Sequence, residues 1–178
     1  DSLGNGVIAT QNGTKILLKN GQVIYNSKPA ENGIAVYNTI TTPKGRQFRL
    51  QLEAGTQVWL NAASSIRYPV VFSGTERNVE VTGEVYFEVA KNAQKPFWVK
   101  INDEMYVEVL GTHFNISSYQ NEGSVKTTLL EGSVQMISGK DKAILKPGQQ
   151  GRVTRQENNS AGKKIKILND VNIEKVMA

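Results

Sequence analysis

Hydrophobic and polar residues alternate with a period of two along much of the chain, most clearly over residues 82–99. Apolar positions alternate with polar ones over residues 84–89, and the alternation resumes over residues 97–101 after the Lys95-Pro96 step. Successive side chains of a strand point to opposite faces, so this pattern predicts a half-buried strand, a connection and a second strand.

The same alternation recurs in short segments separated by glycine-containing turn signals, mostly about 8 to 15 residues apart. This spacing predicts an all-β fold of short, mainly antiparallel strands with no long helix. The strands form either a two-sheet β-sandwich or a flattened β-solenoid-like coil, because strand order leaves no mark in periodicity. The alternating segments are residues 48–52, 58–60, 79–81, 85–89, 97–101, 105–109 and 164–168.

Composition excludes several kinds of site. The chain of 178 residues has no cysteine and one histidine, so it forms no disulfide and no thiolate metal site. Its net charge of +5 is spread along the sequence. The densest basic cluster, at Lys163, Lys164 and Lys166, indicates a solvated linker rather than a nucleic-acid-binding arm. No apolar run approaches the roughly 18 residues needed to span a bilayer.

The residues that could support catalysis do not form a recognisable constellation. Glu84 and Glu88 share one face of a strand, but they are separated by about 13 Å, whereas glycosidase carboxylates lie roughly 5 to 9.5 Å apart. The chain contains no G-x-S-x-G motif that would supply a serine nucleophile for His113 to activate. We therefore predict that the chain is not an enzyme and has no catalytic, cofactor-binding or metal-binding residues. Hydrolysis that depends on Glu84 or Glu88 stays a minor alternative.

Aromatic residues on the polar parity of the strands suggest a different class of function. Trp59, Trp98 and Tyr119 either complete a second buried face or form an exposed surface for stacking. The first interpretation is favoured. The second gives the alternative hypothesis of a carbohydrate-binding all-β module.

A series of motifs follows in a fixed order through the middle of the chain. They are Val58-Trp59-Leu60-Asn61-Ala62, Ser64-Ser65-Ile66-Arg67-Tyr68-Pro69, Phe72-Ser73-Gly74-Thr75-Glu76-Arg77, Gly83-Glu84-Val85-Tyr86-Phe87-Glu88-Val89, Lys95-Pro96-Phe97, Val109-Leu110-Gly111-Thr112-His113-Phe114-Asn115, Leu129-Leu130-Glu131-Gly132-Ser133-Val134 and Leu145-Lys146-Pro147-Gly148-Gln149-Gln150. Their order and spacing resemble the periplasmic domain of FecR-type anti-sigma factors, particularly those of Bacteroidetes.

The resemblance implies a division of the chain into two parts. Residues 1–155 are expected to form the FecR-like all-β domain, with its best-matching core over 37–151 and variable lead-in strands over 1–36. Residues 156–178 are expected to hold a linker and the first strand of a truncated C-terminal α/β subdomain.

The resemblance also implies a set of signature positions whose role is mainly structural, while partner-binding residues stay unidentified. The signature positions are Trp59, Asn61, Arg67, Tyr68, Pro69, Arg77, Gly83, Glu84, Phe87, Pro96, Phe97, Gly111, Thr112, Phe114 and Asn115.

The resemblance to this family further implies a role in signalling across the cell envelope. The expected parent protein is anchored in the inner membrane by one helix that this chain lacks, and the present domain lies in the periplasm. Its expected partners are the N-terminal signalling domain of a TonB-dependent transducer, an extracytoplasmic-function sigma factor bound by the cytoplasmic part, and periplasmic proteases. Transducer contacts are expected to lie mostly in the missing C-terminal part. No nucleic acid and no cofactor are expected.

Two positions carry more specific expectations. The family commonly has Leu-x-Asp-Gly-Thr where this chain has alanine at Ala54, so a side chain expected to stabilise the turn is absent, and Glu53 is a poor substitute. Glu84 is expected to hold a turn or neighbouring backbone rather than a substrate.

Overall fold

Strands dominate the computed structural model, which describes residues 6–11, 14–19, 22–26, 36–155 and 163–178. Within these ranges the predicted all-β class without a long helix is confirmed. The elements are β1 (Gly6–Gln11), β2 (Thr14–Lys19), β3 (Gln22–Asn26), β4 (Tyr37–Thr41), β5 (Phe48–Gln51), a 3-10 turn (Glu53–Gly55), β6 (Gln57–Leu60), β7 (Ser65–Pro69), β8 (Arg77–Thr82), β9 (Glu84–Glu88), β10 (Phe97–Lys100), β11 (Met105–Val109), β12 (His113–Ser117), β13 (Ser124–Glu131), β14 (Val134–Ser138), β15 (Asp141–Leu145), β16 (Gln150–Thr154), β17 (Lys166–Leu168) and α1 (Ile173–Met177).

The described strands form two sheets. The first sheet has ten strands in the order β1-β2-β3-β5-β6-β9-β12-β13-β16-β17, and the second has seven in the order β15-β14-β11-β10-β8-β7-β4. Pairing is antiparallel except between β3 and β5 and between β8 and β10. From β5 onward the chain visits the two sheets in turn, mostly two strands at a time, so the fold is a sandwich.

The core lies between the two sheets and is filled by the apolar parity of each strand. In β9 and β11 every second residue is buried, as the alternation predicts. Phe87 of the first sheet packs edge-to-face on Phe97 of the second, with 5.7 Å between ring centroids, and stacks on Phe114 at 5.1 Å. Aromatic pairs in such arrangements add about 0.5 to 1.5 kcal/mol beyond the burial of their area.

A single glycine makes the crossing from β8 in the second sheet to β9 in the first. Gly83 has φ of +76°, and a Cβ there would lie 2.4 Å from the Ser64 hydroxyl and 2.8 Å from the Ala63 carbonyl oxygen. Only glycine fits this position, because any side chain meets both strain and a clash.

The turn between β5 and β6 shows the consequence of the missing aspartate. Ala54 has φ of +62°, a left-handed conformation that asparagine and aspartate tolerate better than alanine. Glu53 does not replace the cap. Its carboxylate instead accepts a hydrogen bond from the backbone N–H of Phe72, which ties the turn to a loop of the second sheet.

The C-terminal part of the chain returns to the first sheet. β17 pairs antiparallel with β16 and becomes an edge strand of that sheet, beginning two residues later than the alternation predicts. The expected linker over residues 156–162 lies outside the described residues, and the expected division of the chain stays a prediction. Among the residues described, no helix is long and apolar enough to cross a membrane.

Candidate functional site

The signature positions fall into groups with different surroundings. Four of them are buried in the core between the sheets and serve packing: Tyr68, Phe87, Phe97 and Phe114. Pro69 at the end of β7 is also buried. Four others, Trp59, Asn61, Glu84 and Asn115, lie on the outer face of the first sheet and line one cleft.

Gly111 and Thr112 position the chain as it enters β12. A Cβ at Gly111 would lie 2.6 Å from the Cα of Lys91, so glycine permits a close backbone approach. The Thr112 hydroxyl donates to the Ser133 carbonyl oxygen at 2.9 Å. Both residues, like Gly83, therefore serve the fold.

Arg77 and Pro96 hold the connection between β9 and β10. The buried Arg77 guanidinium donates to the carbonyl oxygens of Lys95 and Ala90, each at 2.8 Å, and lies over the Phe97 ring. The Arg77 backbone N–H donates to the Pro96 carbonyl oxygen at 2.8 Å. Burial lowers the pKa of Arg77 from its ordinary value, and no described carboxylate pairs with it.

Arg67 lies on the outer face of the second sheet. Its guanidinium stacks over the Tyr37 ring at 4.2 Å from the centroid, and its Nη1 lies 3.8 Å from Oε2 of Glu80. Neither contact reaches the cleft on the first sheet.

The cleft on the outer face of the first sheet, here named the outer cleft, begins with a row of side chains that face each other across four strands. Arg49 of β5, Trp59 of β6, Tyr86 of β9 and Asn115 of β12 occupy successive opposed positions. The Arg49 guanidinium lies 4.8 Å from the Trp59 ring centroid, and the Tyr86 ring is 5.2 Å from Trp59 on the neighbouring strand. The indole is thus flanked on both sides by cross-strand neighbours.

Beside this row, the Glu84 carboxylate is held by two amide side chains. Asn61 Nδ2 donates to Oε2 and Asn115 Nδ2 donates to Oε1, each at 2.9 Å. Gln47 Nε2 extends the network by donating to Asn61 Oδ1 at 3.2 Å. Residues from distant parts of the sequence therefore meet at one carboxylate.

The structure shows what Glu84 holds. Its carboxylate accepts hydrogen bonds from two side-chain amides, one of which belongs to Asn61 at the start of the β6–β7 turn. Its main chain contacts the same turn: its N–H donates to the Ser64 hydroxyl at 2.8 Å, and its carbonyl accepts from the Asn61 N–H at 3.0 Å.

Helix α1 forms one wall of the outer cleft. The Asn172 side chain caps this helix by accepting the Lys175 N–H at 3.0 Å. Val176 and Met177 face the cleft, which has a volume of about 440 Å³. The sequence pattern does not predict α1, because five residues are too few for a helical period to emerge.

Tyr86 of the outer cleft also contacts Glu88, which lies two residues further along β9. Its hydroxyl donates to Glu88 Oε1 at 3.1 Å. Burial raises the pKa of Tyr86 above its ordinary value, and the neighbouring Glu88 carboxylate raises it further.

The two candidate carboxylates, Glu84 and Glu88, have different cross-strand neighbours. Glu88 lies opposite Gln57 and His113, while Glu84 lies opposite Ser117. His113 Nδ1 is 3.3 Å from a carboxylate oxygen of Glu131. Over the described part of the chain, no group of three or more histidine, aspartate or glutamate side chains could hold a metal ion.

The three aromatic residues suggested for stacking lie on separate surfaces. Trp59 belongs to the outer face of the first sheet, while Trp98 lies on the outer face of the second, beside a cavity of about 400 Å³. Tyr119 donates its hydroxyl to the Ala62 carbonyl oxygen at 2.7 Å. They do not form one platform.

Comparisons with known proteins agree on one group of relatives. A family model described as FecR protein matches residues 38–135. Two crystal structures of a candidate anti-sigma factor from Parabacteroides distasonis ATCC 8503 are similar to the chain at 31% identity, with TM-scores of 0.71 and 0.70. They cover 80% and 79% of this chain, which spans 63% of the length of each. No curated protein matches the chain.

Proposed function

The chain belongs to the FecR family, and from this premise we propose that it is the periplasmic sensory domain of a transmembrane anti-sigma factor. The domain relays a signal from a TonB-dependent outer-membrane transducer to an extracytoplasmic-function sigma factor. The resemblance to FecR-type anti-sigma factors that the sequence motifs indicate is confirmed.

The family match over residues 38–135 carries this proposal, because it includes most of the signature motifs and both sheets of the sandwich. The similar crystal structures support it through a common fold at 31% identity. The role is regulatory: binding of the transducer changes the state of the parent protein, periplasmic proteases process it, and the sigma factor is released. We propose no reaction catalysed by the domain itself.

The carbohydrate-binding alternative has no comparable support. Trp59 and Trp98 lie on the outer faces of different sheets, and the Tyr119 hydroxyl is bonded to backbone. Stacking of a sugar ring needs an open aromatic face, whereas Arg49 and Tyr86 flank Trp59.

The proposal is tested with the full extracytoplasmic region of the parent protein. Calorimetry would measure its association with the N-terminal signalling domain of the transducer encoded beside it, using the signalling domain of an unrelated transducer as the control. We expect saturable binding to the first and none to the second. Absence of binding to any neighbouring transducer would contradict the proposed role.

A further inference from the structure

The Glu84 carboxylate lines the outer cleft without a cation partner. The described carboxylates of Glu80, Asp103 and Glu122 each form an ion pair with a lysine or arginine, whereas Glu84, like several other described carboxylates, forms none with a described basic side chain. It is partly buried, so water screens its charge less than on an open surface.

The two asparagine amides fix the orientation of this carboxylate. Each carboxylate oxygen accepts one amide hydrogen at 2.9 Å, from Asn61 and from Asn115. An ionised carboxylate offers about four acceptor positions, so further donors can still bind to Glu84. Because amides are neutral, they hold the group in place without forming an ion pair with it.

The apolar part of the cleft suits an aliphatic chain, whose positively charged end would reach Glu84. Trp59 and Tyr86 form an aromatic side, and Val176 and Met177 supply an apolar wall on α1. Such surfaces pack against the methylene groups of a long side chain, while the charged end binds a carboxylate. The volume of about 440 Å³ is within the range of sites for small ligands.

We propose that the outer cleft binds a lysine or arginine side chain of a protein partner, with the ammonium or guanidinium group bonded to Glu84. This inference rests on the proposed function for the kind of partner, but its chemistry rests on the cleft alone. A neutral sugar fits less well, because it carries no positive charge to pair with the Glu84 carboxylate.

A second prediction concerns Arg49, whose removal should change cation binding in the opposite direction to removal of the Glu84 charge. It lines the same cleft, lies over Trp59 and forms no ion pair with a described carboxylate. Its charge repels an entering cation, so its removal strengthens binding of the cation, whereas removal of the Glu84 charge weakens it.

The test uses Nα-acetyl-lysine methylamide and Nα-acetyl-arginine methylamide as probes, with Nα-acetyl-norleucine methylamide as the uncharged control. The chain has two tryptophans, so in the Trp98→Phe background Trp59 alone reports binding by fluorescence. The variants are Glu84→Gln and Arg49→Gln. Glu80→Gln on the other sheet is the matched control.

We expect saturable binding of a cationic probe and at least about fivefold weaker binding of the norleucine probe. Glu84→Gln should reduce affinity for the cationic probe by a similar factor, Arg49→Gln should increase it, and Glu80→Gln should leave it unchanged. Should Glu84→Gln fail to fold, a salt titration of the protein with its cleft unaltered replaces this variant. Raising the salt concentration to about 0.5 M should weaken binding of the cationic probe and leave binding of the norleucine probe unchanged.

Equal binding of charged and uncharged probes, or no binding of either cationic probe, would overturn the proposal. The outcome is separable from that of the proposed function. A transducer domain that binds equally well to Glu84→Gln and to the unaltered protein supports the sensory role and contradicts the cleft as its contact. Binding of a cationic probe without binding of the transducer domain would support the cation-binding cleft and contradict the sensory role.

Discussion

Two glutamates, one on the outer face of each sheet, have opposite surroundings. Glu80 of β8 is about half exposed, with 47% of its side chain accessible, and lies 3.8 Å from an Arg67 nitrogen and 3.9 Å from Lys100 Nζ. Glu84 of β9 lies in a cleft and is held by the amides of Asn61 and Asn115. The first carboxylate lies near two cationic side chains, and the second accepts hydrogen bonds from two neutral amides.

These two glutamates show that residue type and strand parity do not determine what a surface charge does. Exposed ion pairs contribute about 0 to 1 kcal/mol, so Glu80 serves mainly solubility. Glu84 of β9 joins Asn61, which follows β6, to Asn115 of β12, and its carboxylate lines the cleft. Gly83 causes the separation, because the chain changes sheets there.

The largest expected effect comes from adding a side chain at Gly83, where the chain crosses from one sheet to the other. Gly83→Ala adds a Cβ 2.4 Å from the Ser64 hydroxyl at a positive φ, so we expect a loss of about 3 kcal/mol of stability or more. Gly45→Ala is the matched control, because Gly45 has φ of +75° with no atom near the added Cβ, and should cost about 1 to 2 kcal/mol. Urea denaturation of both variants measures the difference. Equal losses would show that the crossing is not sterically restricted.

Removal of each glutamate should affect stability unequally. Glu84→Ala leaves the amides of Asn61 and Asn115 without their acceptor, and Asn115 is only 5% exposed, so we expect a loss of about 1 to 3 kcal/mol. Glu80→Ala should change stability by no more than about 0.5 kcal/mol. Chemical denaturation of both variants tests this comparison, which fails if the two losses are the same.

A change at the β5–β6 turn should stabilise the chain without altering the cleft. Ala54→Asn places a residue that tolerates φ of +62° at an exposed position, so we expect a gain of about 0.5 to 1 kcal/mol. Ala54→Val should instead reduce stability. Binding of the lysine probe should be the same in Ala54→Asn as in the unaltered chain. Altered binding would mean that the cleft responds to stability in general rather than to Glu84.

The smallest effect appears only in alkali. The pKa of Tyr86 is raised in the folded state, so above the ordinary value of 10.0 the unfolded chain loses this proton first and stability falls as pH rises. Tyr86→Phe should therefore show a shallower loss of stability above about pH 10 than the unaltered chain. Denaturation at a series of pH values measures the slope. An unchanged slope would contradict the assignment to Tyr86.

Local periodicity predicts the strands and the core because it reports which face of each strand is buried. The alternation around Phe87 and over residues 105–109 corresponds to β9 and β11 with the expected inward residues. The choice between sandwich and coil depends on pairing between strands far apart in sequence. No single strand contains that information.

The outer cleft depends on the same long-range pairing. Asn61, Glu84 and Asn115 each have the polar parity, which was a signal that they share outer faces, but only the register of β6, β9 and β12 brings them to one point. The wall formed by α1 was missed for another reason. A five-residue helix is recognised by its cap, here Asn172, rather than by a repeated apolar face.

The most direct test of the difference between the two outer faces is a nitrogen–proton correlation spectrum of the isotopically labelled chain during titration with Nα-acetyl-lysine methylamide. The side-chain amide signals of Asn61 and Asn115 and the indole signal of Trp59 should shift, while the Trp98 indole on the other sheet should not. The norleucine probe should leave the Asn61 and Asn115 signals in place. Shifts confined to Trp98, or equal shifts with both probes, would contradict a cation-binding cleft at Glu84.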